Sequence, residues 1–331
     1  MRAVIVREFG PPEVLVAEEA PEPVAAAGEV IVDVELANVT FVETQVRAGR
    51  PPHPSMLPAL PAILGNGVGG TVAAVGPGAD AELVGRRVVT SLSGSGGYAE
   101  RAVAAAQRLV EVPDGLAMRD AVALLADGRT ALSLVRQAQP RPGETVLVEA
   151  AAGGVGSLLV QLARNAGARV VAAAGGERKL AVARELGADV AIDYRADDWP
   201  QQLRDAVGAV DVVFDGVGGA VGEAAFGLLG PGGRLSSFGM ASGSFARIDA
   251  QEAEARSVVV LDRGPLSPEE LLALTRAALE EGTAGRLRPV IGQELPLEDA
   301  AAAHAAIEAR TTVGKTLLVV ERERSAGPPR P

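Results

Sequence analysis

Ala151, Gly153 and Gly156 stand in the stretch EAAAGGVGSLLVQLA, Glu149 to Ala163. Their spacing is that of G-x-G-x-x-G with alanine for the first glycine. Such a cluster cradles a phosphate when it follows a buried strand and opens a helix; elsewhere it is only a tight turn. Here ETVLVEA precedes it as a buried strand, and Ser157 to Asn165 follows as a helix stopped near Gly167. Gly153 then lets the backbone approach a pyrophosphate, and Gly156 lets the helix pack closely on the strand. The loop that also holds Gly154 and Val155 offers free N–H groups and a partial positive charge.

The next strand chooses between the two nicotinamide cofactors. A site for the form without a 2′-phosphate ends this strand with Asp or Glu, which accepts hydrogen bonds from the ribose hydroxyls. This chain reads AAAGGERK, with Gly175 and Gly176 in place of the acid and Arg178 and Lys179 after them. Small residues followed by cations accept a 2′-phosphate, so NADPH is the expected cofactor. Glu177 is the opposing charge and is expected to face solvent. A solvated helix start is the other reading of Arg178 and Lys179.

Composition bounds what else the chain can do. The 331 residues are 48% hydrophobic and 22% charged, which describes a folded chain of two domains. A net charge of −11 argues against a nucleic-acid surface. With no cysteine and only His53 and His304, thiolate zinc and multi-histidine metal sites are not expected. MRAVIVREFG does not read as a signal peptide. No apolar stretch is long enough to span a bilayer, so a cytoplasmic protein is expected.

The elements that must hold the glycine loop are legible in outline. Residues 1–118 read as β-rich. GEVIVDVELANV sets Val30, Val32, Val34 and Leu36 on alternate positions, as in a half-buried strand. RPPHPSMLPALP reads as an exposed loop. Residues 119–262 alternate helices and strands, and six strands with intervening helices describe a doubly wound parallel sheet. In residues 263–331, SPEELLALTRAALEEG has a Ser cap and early glutamates, and ELPLEDAAAAHAAIEAR reads as another helix. The closing GKTLLVV has no place in a completed six-stranded sheet, so the chain is expected to return to the first domain. A disordered tail is expected from about 321.

With these elements in place, the chain resembles the zinc-free quinone oxidoreductase branch of the medium-chain dehydrogenase/reductase superfamily. The resemblance rests on AAAGGVG, FVETQVRAG, GGYAE, LGADVAIDY, SFG and GKTLLVV, and covers nearly the whole chain. It implies an α/β fold with a GroES-like β-barrel catalytic domain interrupted by a Rossmann domain. It also implies that Lys179, Tyr194 and Arg310 hold the 2′-phosphate, and that Thr130 stands beside the nicotinamide. Gly216 and the stretch Phe238, Gly239 and Met240 would embrace the ribose and ring. Zinc-dependent relatives have GHE where this chain has Gly65, Asn66 and Gly67. Many quinone reductases have N-F-x-D-T-Y where this chain has Thr40 to Gln45, so the family tyrosine is replaced by Gln45.

Hydride transfer from NADPH to a quinone or other conjugated carbonyl is the most economical chemistry for such a site. The acceptor spreads the arriving charge onto its own oxygen, and the protein need only hold it and donate a hydrogen bond. Thr40 is the candidate donor and Gln45 the second, with Phe41 and Met240 as apolar walls. Each of the four also reads as ordinary packing. Asp127 is either a general acid or a structural carboxylate paired with a cation such as Arg129. Tyr98 reads as structural, His53 as a loop residue and His304 as a surface or packing residue. An enoyl-thioester or alkenal reductase is the alternative enzyme, and a non-catalytic NADPH-binding protein the alternative of another class. Family members pair the strand at Ser257 to Arg263 across a two-fold axis, so a homodimer through that edge is expected.

Overall fold

The computed structural model describes residues 1–262 and 264–321. The chain forms two compact units. Of the described residues, one contains 1–125, 292–312 and 316–321; the other contains 126–291 and 313–315.

The second unit is built on a six-stranded parallel sheet. Its strands run in space as Val190–Asp193, Arg169–Ala174, Thr145–Glu149, Val210–Asp215, Leu229–Ser237 and Val259–Val260. All five pairings are parallel. Strand order therefore reverses between Thr145–Glu149 and Val210–Asp215, and open sheets of this kind bind ligands outside the carboxyl ends at such a point. TVLVE and RVVAAA are buried almost throughout, as expected for strands covered on both faces. Leu147, Val171, Val213 and Leu235 pack with Trp199, Leu203 and Phe226 in one core. The sequence SVVVLDR contributes only the two-residue strand Val259–Val260, and Arg263 lies outside the described residues.

The first unit holds a seven-stranded sheet centred on Glu29–Val39, which pairs antiparallel with Gly67–Val75, Arg101–Ala105 and Lys315–Val319. The closing strand thus reaches the first unit, with Thr316 opposite Val39 and Val319 opposite Leu36. Strict alternation in Glu29–Val39 does not hold. Ile31, Ala37 and Asn38 are buried as well as Val30, Val32 and Val34, because the strand is covered on both sides. Register shifts at Ile31/Val32 and Val34/Leu36 accommodate this.

Two expectations from sequence are corrected. The return to the first unit comes at Gly292, not at 263, because the helix Pro268–Thr283 belongs to the second unit. That helix carries the Ser267–Glu270 capping box. ELP is not helical: Ile291–Pro296 is a strand, Leu297–Asp299 is a single 3-10 turn and the α-helix is Ala300–Glu308. Pro296 lacks the N–H that a helix interior needs, so the helix starts after it. The expected disordered tail lies outside the described residues beyond Glu321.

Candidate functional site

At the carboxyl end of Thr145–Glu149 the chain turns sharply. Ala150 takes a left-handed φ of 47°, and its carbonyl accepts the Gly153 N–H at 2.7 Å. Gly153 is the N-cap of the Gly154–Asn165 helix and brings no side chain to it. The N–H groups of Gly154, Val155 and Gly156 therefore lack intrahelical acceptors and stand at the positive end of the helix. The helix starts at Gly154 rather than Ser157, since the glycines themselves form its first turn. A Cβ on Gly156 would lie 2.2 Å from the Ala150 carbonyl oxygen, so only glycine lets the helix close onto the strand.

Beside this loop, Gly175 and Gly176 end the Arg169–Ala174 strand, and Gly176 caps the Glu177–Glu185 helix with φ 92°. Their neighbours are Tyr194 and Arg195. A Cβ on Gly175 would meet the Tyr194 ring at 3.4 Å, and one on Gly176 would meet Arg195 Nη2 at 2.8 Å. Arg195 is held by Asp193 through Nη2 to Oδ2 at 2.6 Å and Nε to Oδ1 at 3.0 Å. These bonds keep the Asp193 carboxyl below the usual carboxylate range. Lys179 lies in the first turn of the helix, half-buried. Glu177 pairs with Arg184, and its side chain is 74% exposed. Arg310 belongs to the first unit, just past the Ala300–Glu308 helix, with φ 55°. Arg195 was missed in the sequence, although its place after Tyr194 was the available signal.

A third loop follows Val210–Asp215. The Asp215 carbonyl accepts the N–H groups of Phe238 and Gly239 at 2.8 and 3.3 Å, and Val217 O accepts Ser242 N–H at 2.8 Å. A Cβ on Gly239 would stand 2.4 Å from Gly216 O, and one on Gly216 would meet the Phe238 ring at 2.7 Å. The Phe238–Met240 segment is thus pinned onto Gly216. Met240 is half-buried there.

Thr130 and Asp127 lie three residues apart on the Met118–Ala138 helix and so share a face. Asp127 pairs with a residue sequence reasoning did not connect to it, Lys315, at 3.1 Å. The two side chains are 12% and 3% exposed. The Asp127 carboxylate lies against the glycine loop, where a Cβ on Gly154 would be 2.0 Å from Oδ2. Gly314 N–H donates to Ala152 O at 2.7 Å, which fixes Lys315 beside that loop. Burial pushes the Arg129 guanidinium down, with the Asp127 charge opposing the shift.

In the first unit, Thr40 is the N-cap of the Phe41–Arg47 helix. Its hydroxyl donates to Glu43 Oε2 at 3.0 Å, and its backbone N–H donates to the same oxygen at 2.6 Å. Glu43 is buried. Its Oε1 accepts the Asn66 N–H at 2.7 Å, and the Tyr98 hydroxyl also bonds to its carboxyl group. His304 Nε2 lies 3.0 Å from the Tyr98 hydroxyl. With the Tyr98 hydroxyl donating to Glu43, the imidazole Nε2–H is the donor in that contact. His304 is fully buried, and burial lowers its pKa to about 3. It therefore stays neutral near pH 7. Gln45 Nε2 donates to Thr44 Oγ1 at 3.1 Å, and Phe41 is half-buried. Asn66 of the GNG stretch accepts Gly94 N–H through Oδ1 at 2.9 Å. His53 caps the short turn Pro54–Met56. Among the described residues, no three His, Cys, Asp or Glu side chains are grouped to hold a metal ion.

The second unit thus gathers, at the carboxyl ends of adjacent strands, a helix terminus for phosphates, a cationic patch and a pinned glycine loop. These features fit a dinucleotide.

Comparison with known proteins agrees with this architecture. The family model of the zinc-binding dehydrogenases matches residues 154–266, and that of the alcohol dehydrogenase GroES-like domain matches residues 26–114. A 2-haloacrylate reductase of Burkholderia sp is 31% identical over 328 residues, spanning 96% of this chain and 98% of that protein. The quinone oxidoreductase of Homo sapiens is 33% identical over 328 residues, spanning 97% and 98%. The Escherichia coli quinone oxidoreductase, solved in complex with NADPH, is 30% identical and superposes with a TM-score of 0.87 over 96% of this chain and 100% of that one. These likenesses span both units: the chain belongs to the quinone oxidoreductase branch of the medium-chain dehydrogenase/reductase superfamily.

Proposed function

We propose that this chain is an NADPH-dependent reductase that passes a hydride to a quinone or another conjugated carbonyl compound without a metal ion. The observation that carries the cofactor reading is the free helix end at Gly154–Gly156 beside Lys179, Tyr194 and Arg195. The bound cofactor would supply the hydride; Gly153 to Gly156 would hold its pyrophosphate, and Thr130, Gly216 and Phe238 to Met240 its ribose and ring. The names of the relatives favour the acceptor class, since quinones and 2-haloacrylates are both conjugated acceptors.

Thr40 is proposed to donate a hydrogen bond to the acceptor's oxygen. In the structure its hydroxyl donates to Glu43 Oε2. The proton can turn away at modest cost, because Glu43 Oε2 keeps the Thr40 backbone N–H. Neutral His304 is not a source of net protons, and water is proposed to supply the final one. Gln45 is the second candidate donor, and Phe41 and Met240 are proposed as apolar walls.

Thr40→Val should lower kcat/KM for a quinone by about 1–2 kcal/mol and leave NADPH affinity unchanged. Thr40→Ser separates this from the lost helix cap, because it keeps both the cap and the donor. The measurement is steady-state NADPH oxidation with quinones, enones, enoyl thioesters and simple alcohols after exhaustive chelation. Faster turnover of simple alcohols than of quinones, or activity lost with a metal, would overturn the proposal. Tight NADPH binding with no acceptor turned over would favour a non-catalytic protein.

A homodimer is proposed through the sheet edge. Val259 and Val260 are 52% and 46% exposed on the last strand, which is apolar and unpaired on its outer side among the described residues. Sedimentation at micromolar concentration should show a dimer, and Val260→Lys should shift it to monomer. A wild-type monomer would contradict the interface. Among the described residues no helix is long and apolar enough to cross a membrane.

A further inference from the structure

Two carboxyl groups face each other beneath the loops assigned to the cofactor. Val148 and Phe214 are register partners on the two central parallel strands, so Glu149 and Asp215, the next residues, stand side by side at the carboxyl ends. Both are fully buried. Asp215 Oδ1 accepts the N–H groups of Val217 and Gly218 at 3.0 and 2.6 Å, and Oδ2 accepts the Ser237 hydroxyl at 2.9 Å. Asp215 is therefore equipped as an acceptor. Glu149 has one long contact, from Val217 N–H to Oε2 at 3.3 Å, and no donor reaches its buried Oε1.

We propose that Glu149 carries a proton which it donates to Asp215, and that this acid–carboxylate pair positions the dinucleotide loops. The proton turns the orphaned Oε1 into a donor and leaves one negative charge where two would repel. Glu149 leads into the glycine loop, and Asp215 holds the Val217–Gly218 turn through its carboxylate and the Phe238–Gly239 backbone through its carbonyl. One hydrogen bond thus ties the pyrophosphate loop to the ribose and nicotinamide loops. Loss of the proton would set two anions against each other and spread the loops.

The surroundings supply no competing charge. Ala173 pairs with Glu149, and Ser237 pairs with Asp215. The Gly154–Asn165 helix carries no charge before Arg164, and the Gly219–Phe226 helix carries only Glu223, which is exposed. Asp127 and Lys315, at Gly154, neutralise each other. Burial, then the Asp215 charge, pushes the Glu149 carboxyl well above the usual carboxylate range.

The proposal rests on NADPH binding at these loops and is tested by pH. Glu149→Gln keeps a donor to Asp215 and cannot ionise. NADPH dissociation constants of the wild type and this variant should agree at pH 6. At higher pH the wild-type value should rise relative to the variant's, by up to about tenfold per pH unit once Glu149 ionises in the free protein. Changes in the cofactor and in Lys179 or Tyr194 are common to both proteins and cancel. Glu149→Ala should bind weakly at every pH. A wild type that already binds NADPH more weakly than Glu149→Gln at pH 6 would overturn the proposal, because its Glu149 would then be ionised.

The free protein gives a second readout that needs no cofactor. A Glu whose folded pKa is raised loses stability as pH climbs from its unfolded value, because the folded state holds a proton the unfolded state has released. Glu149→Gln should therefore gain in melting temperature over the wild type from pH 5 to pH 8, and parallel curves would overturn the shared proton. If neither protein binds NADPH, the cofactor reading fails while this comparison still decides the pair. Should the variant not fold, infrared spectra of the wild type at pH 8 decide: the carbonyl stretch of a buried un-ionised carboxyl group is expected, and its absence overturns the pair.

Discussion

Lys315→Met is expected to lower the free energy of unfolding by about 3 kcal/mol, and Asp127→Asn by about 5 kcal/mol, the two ends of the range for breaking a buried ion pair. Neither partner has ready access to water, so the one left behind keeps its charge without compensation. The two losses should be unequal. A bare Asp127 carboxylate still faces the positive end of the Gly154–Asn165 helix and lies near Arg129. A bare Lys315 ammonium faces that same helix end and is repelled by it. The double variant Asp127→Asn with Lys315→Met removes both charges and should recover most of the stability, since burying no charge costs less than burying one. Urea denaturation of the three proteins measures this. Losses below about 1 kcal/mol in both single variants would show that water reaches the pair.

This pair shows where sequence reasoning stops. Asp127 was legible as a carboxylate requiring either a role or a cation, and Arg129 was the cation in view. Lys315 is 188 positions away, and only the return of the chain at Val313–Lys315 to the second unit brings it close. Glu149 and Asp215 were hidden for the same reason. Each ends an apolar run that reads as a buried strand, and nothing local says that the two strands are neighbours in the sheet. The glycine loop was legible because its parts are contiguous: strand, turn and helix follow one another within Thr145–Asn165. The parallel sheet of six strands with intervening helices followed from the alternation of apolar runs with helices, a periodic signal, but the order of those strands did not. Local capping could be read for Ser267 but was missed for Thr40. There the polar Glu43 is buried by tertiary contacts, and the family pattern drew attention to substrate rather than to the cap.

NADPH should bind more tightly than NADH by about 1.5–3 kcal/mol, roughly ten- to a hundredfold, with Arg195 supplying part of that margin. Asp193 accepts the Gly176 N–H at 3.1 Å and so stands beside the proposed ribose site, and it adds nothing to selectivity while Arg195 occupies both its oxygens. Arg195 thus acts twice. It masks an acid that would prefer a free hydroxyl, and it leaves a guanidinium over Gly176 for a phosphate. The side chain is 64% exposed, so its ion pair with Asp193 contributes little to stability. Arg195→Ala should consequently fold normally, weaken NADPH by about tenfold and leave NADH unchanged or slightly tighter. Asp193→Asn should do the reverse, freeing Arg195 for the phosphate and tightening NADPH. Lys179→Ala should weaken NADPH selectively and add to the Arg195 effect if, as proposed, the two cations address the same phosphate from different elements. Fluorescence titration of both cofactors at one ionic strength gives all the constants, which matters because charge pairs this exposed are screened by salt. Equal constants for the two cofactors in the wild type would sink the preference. An Arg195→Ala variant weakened equally toward both would show that the residue shapes the loop instead of reading the phosphate.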